Sequence, residues 1–195
     1  MPWQVALVRQ GSSTPFCGGT LISPNHVLTA AHCTGAYGGI WDVIVAKNSR
    51  TSSSDGTRHT KSDYQNHPRY GQDGHGKNND LAIVTLTEAV QIGSRVNYAC
   101  LPSEEMGGDF LVGKNTTLSG WGRLDDAVTR PSVLHTATLP VLSNEDCKRQ
   151  WGRLYQSITD KMLCAGQRGL NKTGSCFGDS GGKKSFYFRR KFQKY

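Results

Sequence analysis

Gly174-Ser175-Cys176-Phe177-Gly178-Asp179-Ser180-Gly181-Gly182 places Ser180 behind an aspartate and in front of two glycines. Such a cluster of turn residues reads most simply as a solvated loop. It also reads as a nucleophile loop. Gly178 would let the backbone approach a substrate carbonyl and turn its N–H toward it. The N–H groups of Gly178 and Ser180 would then form an oxyanion hole. Gly181 and Gly182 would leave room for substrate beyond the Ser180 hydroxyl.

A serine hydroxyl is a weak nucleophile, so this reading requires a base and a group that orients the base. Both residue types stand upstream in their own contexts. His32 lies in Leu28-Thr29-Ala30-Ala31-His32-Cys33, and Asp80 lies in Asn79-Asp80-Leu81-Ala82-Ile83-Val84. The order His…Asp…Ser is one of several that such triads take on unrelated folds. Further pieces are Pro2-Trp3-Gln4-Val5-Ala6-Leu7, Phe16-Cys17-Gly18-Gly19-Thr20-Leu21-Ile22, Gly120-Trp121-Gly122 and Met162-Leu163-Cys164-Ala165-Gly166. Taken together, and in this order, these segments resemble the chymotrypsin/trypsin family of serine endopeptidases. The resemblance runs from Pro2 to Gly182.

The resemblance implies a chemistry and assigns residues to it. Ser180 attacks the scissile carbonyl, His32 carries the proton to the leaving amine, and Asp80 orients His32. Gly178 and Ser180 supply the oxyanion donors. Neither an organic cofactor nor a metal is implied. Gly174, Ser175 and Phe177 fall on the substrate-binding wall. Trypsin-like members carry an aspartate where this chain has Gly174. An uncharged pocket implies a chymotrypsin- or elastase-like preference for apolar or aromatic side chains. The implied partners are protein or peptide substrates and protein protease inhibitors, and the implied state is a monomer.

The implied fold is all-β, with two antiparallel six-stranded β-barrels of trypsin-like type. Residues 1–102 would form the first barrel and residues 114–182 an incomplete second one, with one short helix near 143–151. Residues 183–195 would be a basic tail unrelated to the rest. The family also implies disulfides Cys17–Cys33 and Cys147–Cys164, leaving Cys100 and Cys176 without family partners. The first pair would close a short loop behind His32, worth about 3 kcal/mol by chain entropy.

Composition agrees with a compact, turn-rich secreted protein. The 195 residues are 36% hydrophobic and include 23 glycines, 7 prolines and 6 cysteines. No zinc-type or Cys-x-x-Cys spacing is present, so the cysteines read with the resemblance as disulfide chemistry in an oxidising compartment. Asn115-Thr116-Thr117 and Asn171-Lys172-Thr173 are glycosylation sequons. No apolar run is long enough to span a bilayer. The net charge of +8 invites a nucleic-acid reading. Its distribution opposes one. Lys183, Lys184, Arg189, Arg190, Lys191 and Lys194 all fall at the very end, and the rest of the chain is nearly balanced. A nucleic-acid surface would be built into the fold.

In chain order, strands are expected over 3–9, 17–22, 26–29, 40–46, 81–86 and 135–142, and residues 116–121 open the second half. The polar stretch 47–77 reads as surface loops with a hairpin turn at Asp55-Gly56. His59, His67 and His75 lack metal-ligand spacing and read as loop histidines. Residues 103–113 read as the crossing between halves. Ser143 is a good helix cap, with Glu145 and Asp146 in the favourable first turn.

The two ends suggest two defects. A chain beginning Met1-Pro2-Trp3 lacks the signal peptide and the activation segment of the family. Asp179 would then lack the N-terminal amine that shapes the oxyanion hole, and the loop would relax toward a zymogen-like form. Beyond Gly182 the family's remaining strands are missing. The expected alternatives are therefore a catalytically inactive truncated product, or a non-catalytic homologue acting as a binding protein.

Overall fold

The computed structural model describes all residues except 73–77, 104–107, 125–128, 152–157, 167–178, 182–183 and 187–195. The architecture is all-β and antiparallel, with short helices. The first half contains strands β1 (Gln4–Arg9), β2 (Pro15–Ser23), β3 (His26–Thr29), β4 (Trp41–Val45), β5 (Thr57–His59), β6 (Lys61–Asn66) and β7 (Ala82–Leu86). The helical turn α1 (Ala31–Thr34) follows β3. These strands form one sheet in the order β5-β4-β1-β2-β3-β7-β6. Its two edge strands are consecutive in sequence and separated only by Thr60. The run 57–66 thus bends once, pairing with β4 on one side and β7 on the other. The sheet curls until its ends meet, which removes the exposed edges that a flat sheet would present.

Strand β1 is buried on both faces, and its two sets of alternating side chains enter different cores. Val5 and Leu7 pack inside the curled sheet with Leu21, Val27, Trp41, Val43 and Val84. Ala6 and Val8 face outward and pack with Ile44 and Trp121. The outward face is covered because the second half of the chain lies against it. Gln4, also buried, accepts a hydrogen bond from Ser119 Oγ at 2.6 Å across that boundary. The Trp121 indole N–H donates to the Asn48 carbonyl at 2.9 Å, and the Arg50 N–H to that of Ser132 at 2.7 Å.

The second half contains the short helix α2 (Gly108–Leu111) and strands β8 (Asn115–Gly120) and β9 (His135–Leu142). Helix α3 (Asn144–Trp151) and strands β10 (Cys164–Ala165) and β11 (Lys184–Phe186) follow. Among the described residues these strands form a sheet of four, ordered β10-β9-β8-β11. Ser143 caps α3, its Oγ accepting the Asp146 N–H at 3.0 Å.

One reading needs correction. The polar stretch 47–77 is not all loop, since β5 and β6 lie within it. These strands are polar because much of their surface faces solvent, and their pairing partners are distant in sequence. Long-range pairing leaves no local signature there. A short strand also follows Gly182. Lys184, Ser185 and Phe186 pair with Leu118, Thr117 and Thr116 of β8.

Candidate active site

His32 sits in α1, at the corner where the chain leaves β3. The turn has no side-chain cap and is held by other means. Cys33 is bonded to Cys17 of β2. Thr34 Oγ1 donates to the Ala31 carbonyl at 2.8 Å, and the Trp41 indole N–H donates to the Thr34 carbonyl at 3.0 Å. These ties fix the backbone while leaving the imidazole accessible, its side chain 42% exposed.

Asp80 lies two residues before the start of β7, whose pairing with β3 brings it to His32 across 48 positions of sequence. The carboxylate grips His32 twice. Oδ1 accepts the His32 backbone N–H at 2.8 Å, and Oδ2 lies 2.6 Å from ring Nδ1. Burial pushes the Asp80 carboxyl up. Hydrogen bonds from the His32 ring and from the His32 and Ala31 N–H groups, with the charge of His32, outweigh that and hold it below the usual carboxylate range. An ionised Asp80 accepts only, so Nδ1 must carry a proton, and when the ring is neutral Nε2 presents the lone pair. Nε2 lies 3.6 Å from Cys33 Sγ, a disulfide sulfur with no proton to give.

Ser180 reaches this corner through its backbone. Its carbonyl accepts the Gly18 N–H at 2.7 Å. Gly181 follows in the left-handed region, at φ 75°. A Cβ there would overlap Thr29 Oγ1 and the Gly18 carbonyl, so only glycine permits this approach. Thr29 Oγ1 itself donates to the Gly18 carbonyl at 2.8 Å. The structure thus joins His32 and Asp80 by side chains and docks Ser180 beside them by main chain. No hydrogen bond runs from Ser180 Oγ to His32 Nε2 in the described residues; in enzymes without substrate this contact is often long.

Asp179 is held by a segment earlier in the second half. Its Oδ1 accepts the Gly122 N–H at 2.8 Å. A Cβ on Gly120 or Gly122 would overlap its carboxylate, so the Gly120-Trp121-Gly122 segment is a slot shaped for that side chain. The glycine spacing was visible in the sequence; its occupant was not.

Cys147 is bonded to Cys164, and Cys100 is exposed and unbonded. Gly174, Ser175, Cys176, Phe177 and Gly178 lie outside the described residues, as do His75 and Asn171. Asn115 is exposed at the start of β8. His59 is partly buried in β5, and His67 Nδ1 accepts the Arg69 N–H at 3.1 Å. The one close grouping of metal-ligand types among the described residues is Cys17, His32 and Cys33. Both sulfurs there are committed to the disulfide and cannot act as thiolates.

The sequence pattern of the trypsin family matches residues 1–183. The chain belongs to the trypsin family. Its members are serine endopeptidases, hydrolases with protein substrates that are generally secreted. Among similar proteins is the serine proteinase stubble of Drosophila melanogaster, 34% identical over 93% of this chain and 24% of its own length. Trypsin Blo t 3 of Blomia tropicalis is 31% identical over 93% of this chain and 66% of its own. The fibrinolytic enzyme isozyme C of Lumbricus rubellus is 32% identical over 93% of this chain and 75% of its own. The chain therefore spans a quarter to three quarters of these curated relatives. No helix among the described residues of this trypsin-family chain is long and apolar enough to cross a membrane.

Proposed function

We propose that this chain is a serine endopeptidase in which His32, Asp80 and Ser180 form the catalytic triad. The observation that carries this is the double grip of Asp80 on His32, at 2.8 and 2.6 Å, beside the docked Ser180 backbone. It sets the tautomer that a general base requires. The Ser180 hydroxyl attacks the scissile carbonyl carbon, forming the O–C bond while its proton passes to His32 Nε2. The carbonyl oxygen takes up the negative charge and is met by the N–H groups of Gly178 and Ser180. The intermediate collapses, the C–N bond breaks, and Nε2 returns the proton to the departing amine. Water, deprotonated by the same nitrogen, then cleaves the acyl-enzyme.

The preference assigned to the enzyme is for apolar or aromatic residues before the cut. Trypsin-like members carry an aspartate where this chain has Gly174, and without that carboxylate a lysine or arginine side chain would have no counterion from this position. Ser175 and Phe177 are assigned to substrate binding with it. The remaining assignments are an extracellular location, glycans at Asn115 and Asn171, protein protease inhibitors as partners and a monomeric state.

The experiment is to treat the folded chain with a fluorophosphonate probe and then with peptides differing only at the residue before the cut. Labelling that disappears in Ser180→Ala and His32→Ala supports the triad. Absence of labelling in folded protein would instead favour a non-catalytic binding role. Cleavage mainly after arginine would overturn the reading of Gly174.

A further inference from the structure

We infer that Thr159, acting through Asn78 and Asn79, is a positioning residue that sets Asp80 against His32 from the other half of the molecule. The inference rests on the proposed triad. Asp80 has no regular element of its own. The Leu81 N–H donates to the Asn79 carbonyl at 2.8 Å, closing a three-residue turn with Asp80 at its centre. Asn79 enters that turn in the left-handed region, at φ 56°. Asparagine tolerates this better than most residues, but the conformation still needs support from its surroundings.

That support comes from two directions. Asn79 Nδ2 donates to the Arg69 carbonyl at 3.2 Å, a tie within the first half. The others cross between halves. Thr159 Oγ1 donates to Asn78 Oδ1 at 2.9 Å, and Lys161 Nζ to Asn79 Oδ1 at 3.4 Å. Asn78 is buried, so the Thr159 bond is shielded from competing water, whereas Lys161 is exposed.

Thr159 is itself held. Its carbonyl accepts Asn144 Nδ2 at 3.2 Å and the Met162 N–H at 3.0 Å. Asn144 lies in α3, which the Cys147–Cys164 disulfide fastens to β10. A continuous chain of contacts therefore runs from α3 through Thr159, Asn78 and Asn79 to the carboxylate that orients His32. The acid and base both belong to the first half, yet the turn carrying the acid is braced by the second.

The test compares Thr159→Val with Thr159→Ser. Two readouts are used: the NMR resonance of the His32 Nδ1 proton, and kcat and KM on a peptide substrate. The expected result is a displaced Nδ1 proton resonance in Thr159→Val, with kcat lowered about tenfold, KM changed less than about twofold, and both restored in Thr159→Ser. If Thr159→Val does not fold, Asn78→Ala replaces it, since it removes the oxygen that accepts the Thr159 hydroxyl and leaves Asn79 in place. A folded variant with an unmoved Nδ1 proton would overturn the inference. The resonance reports geometry without turnover. A displaced resonance in a chain that cleaves nothing would therefore count against the proposed function and not against this one.

Discussion

Asp80 holds His32 at both its backbone N–H and its ring Nδ1, with one carboxylate oxygen for each. One contact places the ring and the other selects its tautomer. The two roles separate by substitution.

Asp80→Asn keeps an acceptor for the backbone N–H but can offer an N–H to the ring. It should favour the wrong tautomer and lower kcat by about 10⁴, as that change does in a serine-protease triad. Turnover of a chromogenic ester, with KM measured alongside, checks this. A loss under about tenfold would mean that Asp80 does not govern the tautomer.

Asp80 also ties stability to pH. Its carboxyl is held below the ordinary range in the folded protein, so the unfolded chain takes up its proton first as pH falls. The resulting stabilisation is present in full above the unfolded value of about 4 and is lost as pH falls through the lower folded value. Urea midpoints of wild type and Asp80→Asn should therefore differ most above about pH 5 and draw together as the pH falls further into acid. A gap that widened in acid would contradict the direction.

Gly181 and Gly113 both have left-handed backbones, at φ 75° and 77°. Alanine at either should cost about 1–2 kcal/mol in strain. Around Gly113 there is open space, whereas at Gly181 the new Cβ would overlap Thr29 and Gly18. Gly181→Ala should lose about 3 kcal/mol or more in denaturant titration, together with probe labelling of Ser180. Equal costs at the two sites would show that Gly181 does not touch the first half.

The buried Ser119–Gln4 hydrogen bond joins the two halves at 2.6 Å. A double-mutant cycle with Gln4→Ala and Ser119→Ala should return a coupling of about 1 kcal/mol. Additive effects would mean that this bond adds nothing to the packing and the other hydrogen bonds that join the halves.

The chain's own letters determined a good deal. The strands at 26–29 and 135–142 were legible, as was the α3 cap at Ser143, because these depend on neighbours in sequence. The motifs around His32, Asp80 and Ser180 picked out the residues of the proposed triad. Strands β5 and β6 were not legible, because their polar faces look outward and only distant partners make them strands. Nor was the burial of Gln4, the Gly120–Gly122 slot for Asp179, or the bracing of Asn78 by Thr159. Each requires atoms from both halves to meet. Hydrogen bonds act over about 3 Å of space at any separation in sequence, so only the tertiary structure decides which ones form.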